Sequence, residues 1–417
     1  MTKRIVVVGG GQAGAWIARS AREAGFEGTV TLIGDESCLP YERPPLSKAG
    51  LLGTGSAYAP VFEQDEYDRL GIRLEAGKRV IEIDRASRQV VCGDGSRYPY
   101  DRLALATGGR ARRPAFPGND LPGVLTLRTV DDAAAIAGRF RDNGHVLVVG
   151  GGWIGLEVAS AARHRGMAVT LLESAERLCA RSLPPFMSDF LHRVHVERGV
   201  EIRTGASLAA LHASDDGRLV AMLSNGGEPV ESADLVVLGV GLVPEIDLAV
   251  AAGLQVENGI VVDETGATSD PHIYAAGDVA CLPLSCHTGH LRLESWANAQ
   301  NQGMAVGRTM AGDTVHYDDL PWFWSDQYEM NIQMIGLFAA GRQEVIRGDS
   351  AKGSFLLFQL VDGQIVAAAS VNAARDLKRA RQLIKTARIV DATALADIDI
   401  PLDRLPEAPV QAGSAVG

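Results

Sequence analysis

No apolar run in this sequence approaches the ~18–20 uninterrupted residues that a membrane span requires. Nor does the start, "MTKRIVVVGG", carry a signal-peptide apolar region with a cleavage site, so a cytoplasmic setting is expected. Basic charge is in deficit: 40 Lys and Arg against 51 Asp and Glu leave a net charge of −11. That balance argues against nucleic acid as the main partner, because phosphate binding needs a dominant basic surface. Cysteine is scarce and odd in number, five in all, which points to free thiols rather than a disulfide framework. Their spacing offers no four-thiolate run for an iron–sulfur cluster, and no metal site is expected. Histidine is absent after His316.

What is present is length and glycine. A chain of 417 residues is too long for one hydrophobic core, so two or three domains are expected. "RIVVVGGGQAG" (4–14) reads as a strand over Ile5 to Val8, then Gly9-x-Gly11-x-x-Gly14, a helix to about Glu23 and a second strand, Thr29 to Ile33. Asp35 follows Gly14 by 21 residues, where a carboxylate accepts hydrogen bonds from an adenosine ribose. "HVLVVGGGWIG" (145–155) repeats the pattern with Gly150-x-Gly152-x-x-Gly155, a helix carrying Glu157, and a strand from Ala168 ending in Glu173. In each copy the glycines let the backbone approach a pyrophosphate, and the helix start offers free N–H groups. A carboxylate at the Glu173 position repels a 2′-phosphate, so the second site is expected to prefer NADH over NADPH, with Arg177 the one nearby cation able to offset it.

Two dinucleotide cradles in one chain fit a resident flavin and an exchanging nicotinamide. "TSDPHIYAAGDVA" (268–280) places a short strand before Gly277-Asp278, and "LALATGGRARRP" (103–114) carries an A-T-G strand exit. Both resemble segments of flavoprotein reductases with two dinucleotide-binding domains, in which the aspartate binds the ribityl and phosphate portion of FAD. That resemblance assigns FAD to the first cradle and NADH/NAD to the second. It implies an α/β fold like that of glutathione reductase: two Rossmann-like domains, the NAD domain inserted in the FAD domain, plus a C-terminal α+β domain. The expected boundaries are 1–110 (FAD domain, before the insertion), 111–242 (NAD domain), 243–318 (FAD domain, after the insertion), 319–405 (C-terminal domain) and a disordered tail over 406–417.

"LPYERPPLSK" (39–48), "RLESWANAQNQG" (292–303) and "PWFWSDQY" (321–328) together closely resemble the FAD-dependent NADH:ferredoxin reductases that serve ring-hydroxylating dioxygenases and bacterial haem monooxygenases. The resemblance implies a hydride taken from NADH and single electrons passed to a [2Fe–2S] ferredoxin, by a monomer or homodimer. It pairs Lys48, expected on a helix just after the two prolines, with Glu157, expected on the first turn of its helix. It sets Trp296 against the flavin and Trp324 on the nicotinamide side. It carries FAD contacts onto Ala13, Arg43, Lys48, Val80, Arg128 and Asp278, and NAD contacts onto Ile154, Glu157, Glu173 and Gly241. Trp153 is placed to narrow the NAD entrance, while Trp16 has no assigned role.

Two alternatives stay open. An NADH oxidase or disulfide reductase needs a reactive cysteine facing the flavin. Cys38 is adjacent to Leu39, one position displaced from where single-cysteine relatives carry theirs, and Cys281 and Cys286 read as loop thiols. A disulfide reductase also wants a C-terminal His–Glu pair, which the missing histidines deny. A redox-responsive signalling flavoprotein resembling apoptosis-inducing factor is the other. The C-terminal region shows alternating strands, "NIQMIGLF", "GSFLLFQL" and "QIVAAASV", then an amphipathic helix, "AARDLKRARQLIK". Its cations Arg375, Lys378, Arg379, Arg381 and Lys385, with Arg308, are candidates for docking an acidic ferredoxin.

Overall fold

Ile5 to Val8 and Val146 to Val149 are near-continuous runs of buried aliphatic residues, the composition of strands covered on both faces. In the computed structural model, which describes residues 3–224 and 226–406, each run is the middle strand of a five-stranded parallel sheet. The first sheet runs in the order Ile273–Ala275, Arg102–Leu105, Arg4–Val8, Thr29–Ile33 and Ile72–Glu75. The second runs Val124–Thr126, Leu235–Leu238, His145–Val149, Ala168–Glu173 and Val200–Thr204. The sequence repeat is therefore a repeat of architecture. The registers match too: Val8 lies opposite Ile33 and Val149 opposite Leu172, so both glycine turns leave their sheets at the same level.

The second sheet lies within the chain interval between two strands of the first, Arg102–Leu105 and Ile273–Ala275. Two short antiparallel strands, Gly109–Ala111 and Leu242–Pro244, pair side by side where the chain leaves and returns. After its return the long helix Trp296–Ala311 lies on the first cradle helix, Gln12–Glu23. Gly303 and Gly307 permit that approach: a Cβ at Gly307 would sit 2.4 Å from the Ile17 carbonyl oxygen, and one at Gly303 2.8 Å from that of Ala13.

The C-terminal strands form an antiparallel sheet in the order Trp322–Gln327, Met330–Gly336, Gln364–Val371, Ser354–Val361 and Gln343–Asp349. The "PWFWSDQY" segment is thus an edge strand and its turn. The helix Ala374–Lys385 buries Leu377, Ala380 and Leu383 and leaves Arg375, Lys378, Arg379 and Lys385 exposed, while Arg381 is half-buried. One face of the sheet shares a core with the second cradle unit, where Phe355 meets Phe186 and Phe190 edge-on. That shared core holds the strand Trp322–Gln327 over the second cradle helix, Trp153–His164. The expected disordered tail lies, from residue 407 on, outside the described residues. No helix among the described residues is long and apolar enough to cross a membrane.

Candidate active site

In both cradles the outer glycines are fixed by packing and the middle one is not. Gly9 has φ +122°, and a Cβ there would come 2.1 Å from the Ala106 oxygen; at Gly14 it would lie 1.9 Å from the Gly9 oxygen. Gly150 (φ +107°) and Gly155 repeat this against Gly239 and Gly150, at 2.5 and 1.9 Å. Gly11 and Gly152, by contrast, open onto space with nothing within 4 Å. Both helices begin without a side-chain cap, so their first-turn N–H groups point unpaired toward that space. The geometry is that of two anion seats at helix N-termini.

Around the first seat the segments Arg43, Arg128 and Asp278 converge from distant stretches of the chain. Arg128 Nη2 donates to Asp278 Oδ2 at 3.1 Å, and Arg43 donates to the Arg128 carbonyl. Burial, and Arg43 alongside, push the Arg128 guanidinium below its usual range. Arg128 Nε is buried with no hydrogen-bond partner. A buried, unpaired cationic donor beside a second arginine fits a diphosphate. Glu36 is engaged by Tyr41 (2.6 Å) and Arg43 (2.9 Å), whereas Asp35 stands exposed at the strand end. Gly277 packs on Ala13, where a Cβ would come 2.8 Å from the alanine methyl, and its N–H donates to Gln302 Oε1. Val80 is buried at the start of the strand Val80–Asp84.

At the second seat Glu173 accepts from the Gly151 and Ala175 N–H groups, both at 2.7 Å, which ties the carboxylate to the glycine turn. Ile154 is 43% exposed on the helix's first turn, facing outward where a core residue would not. Gly241 (φ +104°) lies at the mouth. Arg177 is turned away: its guanidinium donates to the Leu183 and Ala180 carbonyls and to Ser188 Oγ. It is not placed to offset Glu173. Arg181, which no sequence motif singled out, is exposed, and its Nη2 lies 3.5 Å from where a Gly241 Cβ would be.

Between the seats Lys48 Nζ donates to Glu157 Oε1 at 2.8 Å, with the carboxylate side chain only 3% exposed. Ser325 Oγ donates to the same oxygen at 2.6 Å, and Ser47 Oγ donates to Oε2. The structure refines two details. Helix begins at Pro44 itself, where a proline's missing N–H costs nothing, and Lys48 sits at the joint of two short helices, Pro44–Ser47 and Ala49–Leu52. Glu157 is the fifth residue of its helix, one turn in from the start. Trp324 joins the group, its ring 6.0 Å from Lys48 Nζ and edge-on to Trp296 at 5.7 Å. Trp296 opens its helix under a Ser295 cap. The Trp153 indole donates to Ser182 Oγ and its ring packs on Phe323, joining the cradle to the C-terminal sheet. Trp16 packs edge-on to Phe62 at 5.0 Å, and with the Gln12 amide oxygen facing them, Trp16 and Trp296 both donate to it.

This arrangement has known counterparts. The model of the family described as "Pyridine nucleotide-disulphide oxidoreductase" matches residues 3–303, and that described as "Reductase C-terminal" matches 322–406. The chain belongs to the pyridine nucleotide-disulphide oxidoreductase family. Within that family it stands with the ferredoxin reductases. It is 42% identical to the ferredoxin–NAD(+) reductase component of an anthranilate 1,2-dioxygenase system from Burkholderia cepacia, over 95% of this chain and 98% of the relative. It is 41% identical to rhodocoxin reductase of Rhodococcus erythropolis, over 95% and 93%. The crystal structure of a covalent putidaredoxin reductase–putidaredoxin complex matches with a TM-score of 0.91 at 37% identity, covering 96% of this chain and 97% of that one.

The family's name invokes disulphide chemistry, and the thiols here are poorly suited to it. All five cysteines are free, and burial pushes the thiol pKa of Cys38, Cys92, Cys179 and Cys281 upward, away from the nucleophilic thiolate. Glu36 adds to the effect at Cys38. Cys281 is not a loop thiol as expected: it is buried in the strand Ala280–Pro283, while Cys286 is exposed beyond it.

Proposed function

We propose that this ferredoxin reductase binds FAD in the first cradle and NADH in the second, and serves a [2Fe–2S] ferredoxin that feeds an oxygenase. FAD, when bound, supplies the conversion of a two-electron hydride into single electrons. Arg43, Arg128, Asp278 and the Gly9–Gly14 turn would hold its diphosphate and ribityl portions, with Asp35 and Val80 at the adenosine end and Trp296 against the ring. The turn Gly150–Gly155, Ile154, Glu173 and Gly241 would hold NADH. The domain reading follows the two seats: 1–110 and 243–318 for FAD, 111–242 for NAD, and 319–405 as the wall bearing Trp324. A cytoplasmic setting accords with this chemistry.

The observation that carries the reading is the Lys48–Glu157 contact, which joins the proline turn of the first unit to the cradle helix of the second. Hydride transfer needs no side-chain acid or base; it needs alignment and exclusion of water. Glu157 orients Lys48, Lys48 places positive charge where negative charge develops on reduction, and Trp324 covers the same side. Glu173, with Arg177 turned inward, supports NADH over NADPH. The raised thiol pKa values give the disulfide reductase alternative no support.

Steady-state reduction of a panel of [2Fe–2S] ferredoxins, with NADH or NADPH as donor and disulfides and oxygen as control acceptors, tests the proposal. A ferredoxin reduced faster than either control, with NADH at least tenfold better than NADPH in kcat/KM, is expected. Faster turnover with disulfide or oxygen overturns it.

A further inference from the structure

Glu157 is the end of a longer buried chain. His195, on the helix Pro185–Glu197, is fully buried, and its Nε2 lies 2.9 Å from Gln327 Oε1. A carbonyl oxygen only accepts, so this ring nitrogen carries the hydrogen. Nδ1 then accepts from the Tyr328 hydroxyl at 3.1 Å. Gln327 Nε2 donates onward to Ser325 Oγ at 3.0 Å, and the Ser325 hydroxyl, its acceptor role filled, donates to Glu157 Oε1. Tyr328, His195, Gln327 and Ser325 thus form one directed line ending on a carboxylate, with His195, Gln327 and Ser325 each no more than 1% exposed. Each hydrogen is committed by the next acceptor, so reversing one member would leave another unpaired.

The line also crosses a structural boundary. Ser325 and Gln327 are alternate residues on one face of the edge strand of the C-terminal sheet, whereas His195 and Glu157 belong to two helices of the second cradle unit. Tyr328, at the turn, has φ +54°, a conformation unfavourable for a bulky residue. Its N–H donates to Ser160 Oγ on the second cradle helix at 2.8 Å, and its ring packs edge-on to His195. The strained turn is held from the cradle side at both its backbone and its hydroxyl. Apolar packing alone would be served by apolar residues at these positions.

We infer that His195 is a positioning residue for Glu157, acting through Gln327 and Ser325, and that the Tyr328 turn couples the C-terminal sheet to the Lys48–Glu157 pair. The inference rests on the proposed placement of that pair beside the reacting cofactors. His195 itself is fully buried and reaches Glu157 only through Gln327 and Ser325. It fixes which way the Gln327 amide faces, hence which way the Ser325 hydroxyl points, hence the plane of the Glu157 carboxylate that holds Lys48.

The test uses the holoenzyme variants His195→Leu, Ser325→Ala, the double variant, His195→Gln and Glu157→Gln. Flavin reduction by NADH is followed in stopped flow, and the ring nitrogens of His195 by 15N NMR. His195→Leu and Ser325→Ala are each expected to slow reduction ~5-fold, the effect of about one lost hydrogen bond, and the double variant to be no slower than Ser325→Ala. His195→Gln, which keeps an N–H donor near the Nε2 position, is expected to restore the rate to within about twofold. In wild-type protein the ring should be the Nε2–H tautomer at pH 7, with its signals moved by Ser325→Ala. Multiplying effects in the double variant, an unchanged rate in His195→Leu, or an Nδ1–H tautomer overturns the inference. Glu157→Gln separates the two levels: slowed reduction with an unaffected His195→Leu defeats this inference alone. Unslowed reduction in Glu157→Gln removes the underlying placement, and the inference falls with it.

Discussion

Lys48 and Glu157 are 109 residues apart in sequence, and the carboxylate end of their contact is buried, which sets what each loses without the other. Removing the ammonium leaves a buried carboxylate with only hydroxyl partners, while the contacts proposed for the FAD diphosphate stay in place. Lys48→Ala should therefore slow flavin reduction by NADH at least ~10-fold, ~1.4 kcal/mol in the barrier, with FAD content unchanged. Stopped-flow reduction at the wild-type rate would contradict this role. His195 makes a second residue-scale prediction. Burial, opposed by the Gln327 hydrogen bond and helped by Arg198 and His192, lowers its pKa to about 4. As pH falls below ~6.5 the unfolded chain takes up this proton and the folded chain does not until pH 4, so the histidine's contribution is intact above pH 6.5 and is lost between 6.5 and 4. Wild type should lose ~2 kcal/mol relative to His195→Gln between pH 7.5 and pH 5 in denaturant titrations. Parallel curves would show that His195 is not held neutral. Neither His195 nor Ser325 was legible in the sequence: a lone histidine on a helix and a serine in a strand carry no motif, and their meaning depends on a sheet docking from elsewhere. Lys48 with Glu157 was legible only through resemblance, and Arg181 not at all.

At the level of elements, the two glycine turns divide labour among their glycines. The third glycine of each motif has no room for a methyl group, whereas the middle one faces open space from an extended backbone conformation. Gly155→Ala should destabilise the fold by ~1–3 kcal/mol through overpacking against the Gly150 carbonyl. Gly152→Ala should leave the melting temperature within about 2 °C and weaken NADH binding at least ~10-fold, because the new methyl enters the phosphate seat. Equal effects of the two on stability, with NADH affinity intact, would refute the seat. The cradles were readable from the sequence because strand, turn, helix and acid recur at fixed spacing under local rules. The proline turn was read less well: prolines occupy the first turn of a short helix instead of preceding one, a choice set by packing of Leu46 and Leu51 into the core. The contacts of Trp153 were not legible for a related reason, since its partners Phe323 and Ser182 are remote in sequence.

For the molecule as a whole, two sheets of matching order and register, with the C-terminal sheet laid against the second, bring Lys48, Glu157, Trp296 and Trp324 to one place. The parallel sheets were legible from their aliphatic runs. The shared core between the C-terminal sheet and the second cradle unit was not, because strand alternation tells which face is apolar but not what it meets. That shared core makes Glu157 answerable to three segments at once. The central claim is that a hydride enters through one cradle, its two electrons leave the protein one at a time, and its proton is released to solvent. Anaerobic titration of the flavin-loaded protein with NADH, followed by oxidised [2Fe–2S] ferredoxin, tests it most directly. The expected result is bleaching of the flavin absorbance by one equivalent of NADH and its full recovery with two equivalents of ferredoxin reduced. Bleaching that ferredoxin fails to reverse, while a disulfide or oxygen does, would contradict it.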